Sequence, residues 1–191
     1  MLDTANKPLF YDPNGNHKMS ATFEHFVAGL QRYLPKMMII FAPTVNSWRR
    51  YSEDTFAPPA FSWGIENRTT CFRVVGHNEN TYRVENRLPC SDSNPYLVMS
   101  AMLAAGLSGI DEKLKPTEPT IGNGYLPEAA KGEPLHQDML TAIESFSTSV
   151  TAREWLGDSF VDAFISTRTA QHASFKDKTL IDERRRFFEL G

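Results

Sequence analysis

Residues 81–88 alternate with a period of two. Tyr82, Val84, Asn86 and Leu88 fall on one side of an extended strand, and Arg83, Glu85 and Arg87 fall on the other. A second extended run at 70–75 precedes it across the turn-forming Gly76-His77-Asn78-Glu79-Asn80, so the pair predicts a hairpin of strands 70–75 and 81–88. Helical periodicity surrounds this hairpin. From Ser20 onward, Phe23, Phe26, Val27, Leu30 and Leu34 recur at the three-and-four spacing of one buried helix face. Pro35 then kinks or restarts the helix before Met37, Met38 and Phe41, and His25 falls off the stripe and reads as a surface residue. The first 17 residues read as loop around a short strand at 9–11. A further helix is expected near Ser93, with Asn94 beside its N-cap and Pro95 in its first turn. Its small residues Ala101, Ala104, Ala105, Gly106 and Gly109 permit close packing. Two more helices are expected around 136–146 and 158–175, the second burying Phe160, Val161, Phe164 and Ile165. Residues 42–62, with three prolines around a polar run, and 111–134, with four prolines and three glycines, are irregular, and Arg184, Arg185 and Arg186 read as a solvated helix face.

Composition narrows the function classes. With 191 residues, 41% of them hydrophobic and 23% charged, the chain reads as one soluble globular domain. A net charge of −3 and a pI of about 6.0 give no reason to invoke nucleic acid or an anionic membrane as partner. The two cysteines, Cys71 and Cys90, are too few for a disulfide framework and lack zinc-site spacing, which fits a reducing, cytoplasmic setting. The N-terminal residues carry Asp3 and Asn6 without an apolar run, so no signal peptide is expected. The apolar stretch from Met37 to Ala42 is too short to span a bilayer.

The charged strand is where chemistry is expected. An Arg–Glu–Arg face is also what a half-exposed strand looks like, with surface ion pairs contributing about 0–1 kcal/mol each. Further arginines weigh against that plain reading: Arg50 in the irregular 42–62 segment, Arg68 just before the first strand and Arg73 within it. Antiparallel pairing could bring Arg73 onto the face of Arg83 and Glu85. Clustered guanidiniums repel one another and suit the oxygens of carboxylate and phosphate, while a carboxylate among them suits a hard divalent cation.

Three motifs run in order: Asn46-Ser47-Trp48-Arg49-Arg50, Trp63-Gly64-Ile65-Glu66-Asn67-Arg68 and Arg83-Val84-Glu85-Asn86-Arg87-Leu88-Pro89. Asn94-Pro95-Tyr96-Leu97 and Ala101-Met102-Leu103-Ala104-Ala105-Gly106-Leu107 follow. Together they resemble successive motifs of the glutamine synthetases, and the resemblance extends from Leu9-Phe10-Tyr11 to Arg186-Phe187-Phe188-Glu189. It implies an α+β fold, the C-terminal part of the family's catalytic domain, with antiparallel strands of a partial barrel and helices packed outside. It also implies ATP-dependent ligation of an amine to the γ-carboxylate of glutamate through γ-glutamyl phosphate, with magnesium or manganese. Arg50 corresponds to an arginine that binds glutamate, and Arg68 to one that steadies the γ-glutamyl phosphate. Arg73 and Arg83 match arginines on the ATP phosphates, Glu85 a metal ligand, and Arg87 an arginine near the transferred phosphate and substrate.

Two departures from the family pattern stand out. Ammonia-using members carry a glutamate shortly before an Ala-Pro pair; here Phe56-Ala57-Pro58 puts Phe56 at that place, with Glu53 three residues earlier. An apolar side chain there suits the alkyl part of a larger amine, as in γ-glutamylpolyamine synthetase-like members. The second departure is the absence of the family's N-terminal β-grasp domain and of most acidic metal ligands. The expectation is therefore a partial catalytic domain over 1–191, inactive alone, from a protein that forms a homo-oligomer when complete. The alternatives are a non-catalytic binding or assembly protein on the same fold, or a plain α+β domain.

Overall fold

The computed structural model describes residues 1–51, 55–126 and 128–188. The chain divides into two compact units, the first comprising Met1–Leu34, Pro58–Arg87 and Met102–Leu135, the second Pro35–Ala57, Leu88–Ala101 and His136–Gly191. No helix among the described residues is long and apolar enough to cross a membrane.

The first unit is built on helix α1, Ala21–Tyr33. Ser20 caps it: its hydroxyl accepts from the Phe23 N–H at 3.1 Å and donates to the Leu9 carbonyl at 2.5 Å. The expected stripe Phe23, Phe26, Val27, Leu30 and Leu34 is buried, and Phe10 stacks on Phe23 with ring centroids 4.3 Å apart. Residues 102–111 of helix α3, Pro95–Asp111, lie against α1 with unusually close backbones. A Cβ on Gly29 would sit 2.1 Å from the Ala105 carbonyl oxygen, and one on Gly109 would sit 2.3 Å from that of His25. Only glycine fits such a crossing. His25 differs from expectation: it is half-buried, with Nδ1 2.6 Å from the Leu114 carbonyl oxygen, which ties the segment after α3 back to α1.

Three short strands, β1 (Trp63–Ile65), β2 (Phe72–Val75) and β3 (Arg83–Asn86), form a sheet in that order. The expected hairpin is present as β2 and β3, trimmed at both ends, because Gly76 (φ +131°) and the Asn78–Thr81 hydrogen bonds turn the chain early. β1 is an addition, and it pairs with β2 in parallel. Parallel neighbours ordinarily need a long crossover. Here a short reversal suffices because each strand is only three or four residues long. The reversal uses Glu66 in the left-handed region (φ 50°) and Asn67, whose side-chain oxygen accepts from the Thr69 N–H and hydroxyl. The sequence run 9–11 makes only an isolated bridge, Tyr11 to Met19, and no strand.

The long segment after α3 stays connected to this sheet. The Thr120 N–H donates to the Trp63 carbonyl at 2.8 Å, the Trp63 indole to the Thr117 carbonyl at 2.8 Å, and the Asn67 amide to the Thr120 and Gly122 carbonyls. It is a connecting loop of the unit, as expected.

The second unit opens at Pro35, within a 3-10 turn over Leu34–Met37, and continues into helix α2, Met38–Phe41, all of whose residues are buried. Asp138 caps helix α4, Met139–Ser147, and Ser149 caps helix α5, Val150–Leu156, an element not expected from the sequence. Helix α6, Asp158–Ser174, buries Val161 fully but leaves Phe160, Phe164 and Ile165 half-buried. The Phe160 and Phe164 rings stack with centroids 5.6 Å apart, and Phe164 meets the buried Phe146 of α4 edge-on at 5.8 Å. Thr179 and Asp182 close a capping box on helix α7, Leu180–Phe187, whose Arg184, Arg185 and Arg186 are exposed.

Candidate functional site

The register of β2 with β3 places Arg73 opposite Glu85 and Val75 opposite Arg83. Alternation then puts Arg73, Glu85 and Arg83 on one face. Arg83 Nη2 donates to Glu85 Oε1 at 2.8 Å, Arg73 Nη1 to Glu85 Oε2 at 3.0 Å, and Arg73 Nη2 to Glu66 Oε2 at 2.5 Å. The result is a ladder, Arg83–Glu85–Arg73–Glu66, held by charge-assisted hydrogen bonds. Arg73 is its least solvated member, with 16% of its side chain exposed against 33% for Glu85, 45% for Glu66 and 57% for Arg83. Burial pushes the Glu85 carboxyl up, but hydrogen bonds from Arg83 and Arg73 outweigh it and hold the group below the usual carboxylate range.

Glu66 joins this ladder to a cavity. Together with His17, Asn67, the exposed Arg68, Thr120 and Gly122, it lines a space of about 470 Å³. The Asn67 hydrogen bonds to the 120–122 backbone fix that wall, so Arg68 projects from a braced turn. Arg87 lies just past β3, half-buried, with its N–H donating to the Cys71 carbonyl at 2.9 Å.

Arg50 belongs to the second unit, at the end of a 3-10 helix, Ser47–Arg50. Its Nη1 donates to the Leu88 carbonyl at 2.8 Å, where the Tyr51 hydroxyl also donates at 2.6 Å, and its guanidinium lies 5.6 Å from the Tyr51 ring centroid. Phe56 is 76% exposed and takes a left-handed conformation, φ 58°, which a bulky residue adopts only at a cost. Glu53, three residues before Phe56, lies outside the described residues.

Of the residues the sequence singled out, Arg73, Arg83 and Glu85 are in direct contact, while Arg68 and Glu66 share the cavity wall. Glu66 was missed as a site residue. It stood inside the Trp63 to Arg68 motif, but its partner follows only from the parallel β1–β2 pairing, which the sequence does not announce. The donor set does not fit a divalent cation. Both Glu85 oxygens accept from guanidiniums, and among the described residues no group of three His, Cys, Asp or Glu side chains could hold a metal.

Residues 1–187 match the glutamine synthetase catalytic domain family. The chain is 38% identical over 186 residues to type-1 glutamine synthetase 2 of Dictyostelium discoideum, covering 96% of this chain and 36% of that protein. It is 36% identical over 164 residues to a glutamate–isopropylamine ligase of a Pseudomonas species, covering 86% of this chain and again 36% of the relative. The solved structure of ligand-free GmaS superimposes with a TM-score of 0.80 at 29% identity, over 97% of this chain and 42% of that one. The chain thus spans little more than a third of the length of these curated relatives.

Proposed function

Because the chain belongs to the glutamine synthetase catalytic-domain family, we propose that it supplies one part of an ATP-dependent ligase that joins an amine to the γ-carboxylate of glutamate. The observation that carries this reading is the arginine ladder beside the Arg68 cavity. Four guanidiniums, Arg68, Arg73, Arg83 and Arg87, stand on or next to one small sheet against two carboxylates, Glu66 and Glu85. That excess of positive charge suits a polyanion.

In the proposed reaction a γ-carboxylate oxygen of glutamate attacks the terminal phosphorus of ATP and ADP leaves. The amine nitrogen then attacks the acyl carbon, inorganic phosphate departs, and the nitrogen loses a proton to a base. Arg73 and Arg83 hold the ATP phosphates, Arg68 and Arg87 meet the charge that builds on the transferred phosphoryl group, and Arg50 holds glutamate. Such preorganised donors stabilise developing charge without reorganising. Glu85 alone does not make a site for a cation that takes about six oxygens, and among the described residues no group of three His, Cys, Asp or Glu side chains stands ready to complete one. Further acidic ligands from a longer polypeptide fit the share of the relatives that this chain covers.

The acceptor proposed is an organic amine, supported by Phe56 before the Ala57-Pro58 pair, where ammonia-using members carry a glutamate, and by the alkylamine ligase among the relatives. The test is phosphate release by the full-length protein with glutamate, ATP and a panel of amines. Turnover that depends on both glutamate and an amine supports the reading; ATP hydrolysis indifferent to both would sink it. A second reading, a binding or assembly protein on the same fold, rests on the occupied oxygens of Glu85.

A further inference from the structure

The second unit contains a hydroxyl–carboxylate cluster that the ligase reading does not use. Thr44 and Ser47 are buried, 7% and 3% exposed, and exchange hydrogen bonds: the Thr44 N–H donates to Ser47 Oγ at 3.1 Å and the Ser47 N–H to Thr44 Oγ1 at 3.2 Å. Each hydroxyl has one proton to give. Both give it to Asp92, Thr44 Oγ1 to Oδ2 at 2.5 Å and Ser47 Oγ to Oδ2 at 2.8 Å and Oδ1 at 3.0 Å. Around this group Arg168 Nη1 donates to the Pro43 carbonyl at 3.1 Å, the half-buried guanidinium lying within electrostatic reach of Asp92.

Ser47 is also the first residue of the 3-10 helix that ends at Arg50. The helix is therefore held at both ends by the same short stretch of chain. Asp92 holds its first residue through two hydroxyls, and the Leu88 carbonyl holds its last through Arg50 Nη1 and the adjoining Tyr51 hydroxyl. The intervening Cys90 reinforces the clamp, its thiol lying 3.6 Å from the Ser47 carbonyl oxygen and 3.7 Å from the Tyr51 hydroxyl. The segment itself is anchored, because the Cys90 N–H and the Ser93 hydroxyl both donate to the Phe41 carbonyl.

We infer that Asp92 is a positioning residue for Arg50: through Thr44 and Ser47 it fixes the 3-10 turn that aims the Arg50 guanidinium at a carboxylate substrate. This rests on Arg50 as the glutamate-binding arginine of the proposed ligase. A carboxylate suits that place because each hydroxyl, having accepted a backbone N–H on one of its two lone pairs, gives its single proton to Asp92, and a carboxylate accepts from both. An asparagine can take one of those protons but presents an N–H₂ to the other hydroxyl. A 3-10 turn has poor internal hydrogen bonds and depends on such outside ties.

The test pairs two readouts on Asp92→Ala and Asp92→Asn. Hydrogen exchange of the 191-residue chain reads the positioning directly. Amides of residues 47–51 should exchange at least tenfold faster in Asp92→Ala than in the parent, with α1 unchanged. Unchanged exchange at 47–51 overturns the inference whether or not the protein is a ligase. Steady-state kinetics of the full-length protein read the consequence. The glutamate KM should rise about tenfold in Asp92→Ala and less in Asp92→Asn, with the ATP KM within twofold of the parent. Equal rises in both KM values, or faster exchange with an unchanged glutamate KM, would also overturn it. Arg50→Ala separates the two proposals: a glutamate KM that this variant leaves unmoved removes the role assigned to Arg50, and the exchange result still decides whether Asp92 holds the turn.

Discussion

Replacing Glu85 by glutamine keeps the shape of the ladder's central carboxylate and removes its charge. The structure sets the size of the effect. The Arg83 pair, with that side chain 57% exposed, sits at the weak end of surface ion pairs and contributes about 0.2–0.5 kcal/mol. The Arg73 pair involves a side chain only 16% exposed, where a hydrogen bond to a charged group contributes about 1.5 kcal/mol, the lower end of its range because Glu66 remains as partner. The sum, about 1.5–2 kcal/mol, corresponds to a melting-temperature loss of about 3–8 °C in a chain of this length at neutral pH.

The pH dependence makes this a test of the ladder and not of glutamine in general. The Glu85 carboxyl is depressed in the folded protein, so its contribution is fully present above the unfolded value of about 4.3 and is lost as pH falls through the lower folded value. Glutamine does not titrate. Thermal melts of the parent and Glu85→Gln at a series of pH values from 7 to 3 should therefore show a gap that closes on the acid side. A gap that stays constant down to pH 3, or that is absent at pH 7, would refute the reasoning.

Gly29→Ala gains about 1 kcal/mol of helix propensity but drives a Cβ into the Ala105 carbonyl, and overpacking of that kind costs up to about 3 kcal/mol. Its melting temperature should fall by about 4–8 °C, and a rise would show that the α1–α3 crossing is looser than the structure has it. Phe56→Glu in the full-length protein should shift kcat/KM toward ammonia relative to alkylamines by at least tenfold, since a carboxylate attracts ammonium and takes its proton; an unchanged ratio would remove Phe56 from the amine site. The 191-residue chain by itself should show neither micromolar binding of ATP with manganese in calorimetry nor turnover, because Glu85 alone does not complete a metal site. Binding and turnover together would overturn that expectation.

The parts of the fold that were legible in the sequence are those governed by local rules. The α1 stripe and its Ser20 start, the β2–β3 hairpin and the Asn94 start of α3 all follow from spacing and capping chemistry within a few residues. What escaped depends on partners far along the chain. β1 is a strand because β2 and Thr120 accept and donate beside it, and no periodicity in three residues could reveal that. Phe160 and Phe164 have helical spacing suited to burial, yet burial is decided by what packs against α6. Helix α5 itself went unread: it is seven residues long and starts at the Ser149 cap, a signal a scan for apolar periodicity passes over. The site divides in the same way: alternation alone brought Arg83 and Glu85 together, hairpin register added Arg73, and Glu66 needed the parallel pairing.

Arg73 departs from the ordinary pattern of a solvated surface pair. In a solvated surface pair the cation is the more exposed partner, its long stem reaching into water, and little is lost when the pair breaks. Here the order is reversed: Arg73 is more buried than either carboxylate it touches. Its charge is tolerated because two carboxylates reach it, Glu85 from the neighbouring strand β3 and Glu66 from the left-handed turn that follows β1. A sheet that merely faced water gains nothing from so constrained an arrangement, since an uncharged residue opposite Glu85 would avoid the desolvation. An anion-binding surface does gain, because guanidiniums held in place by their own carboxylates are already oriented when the ligand arrives.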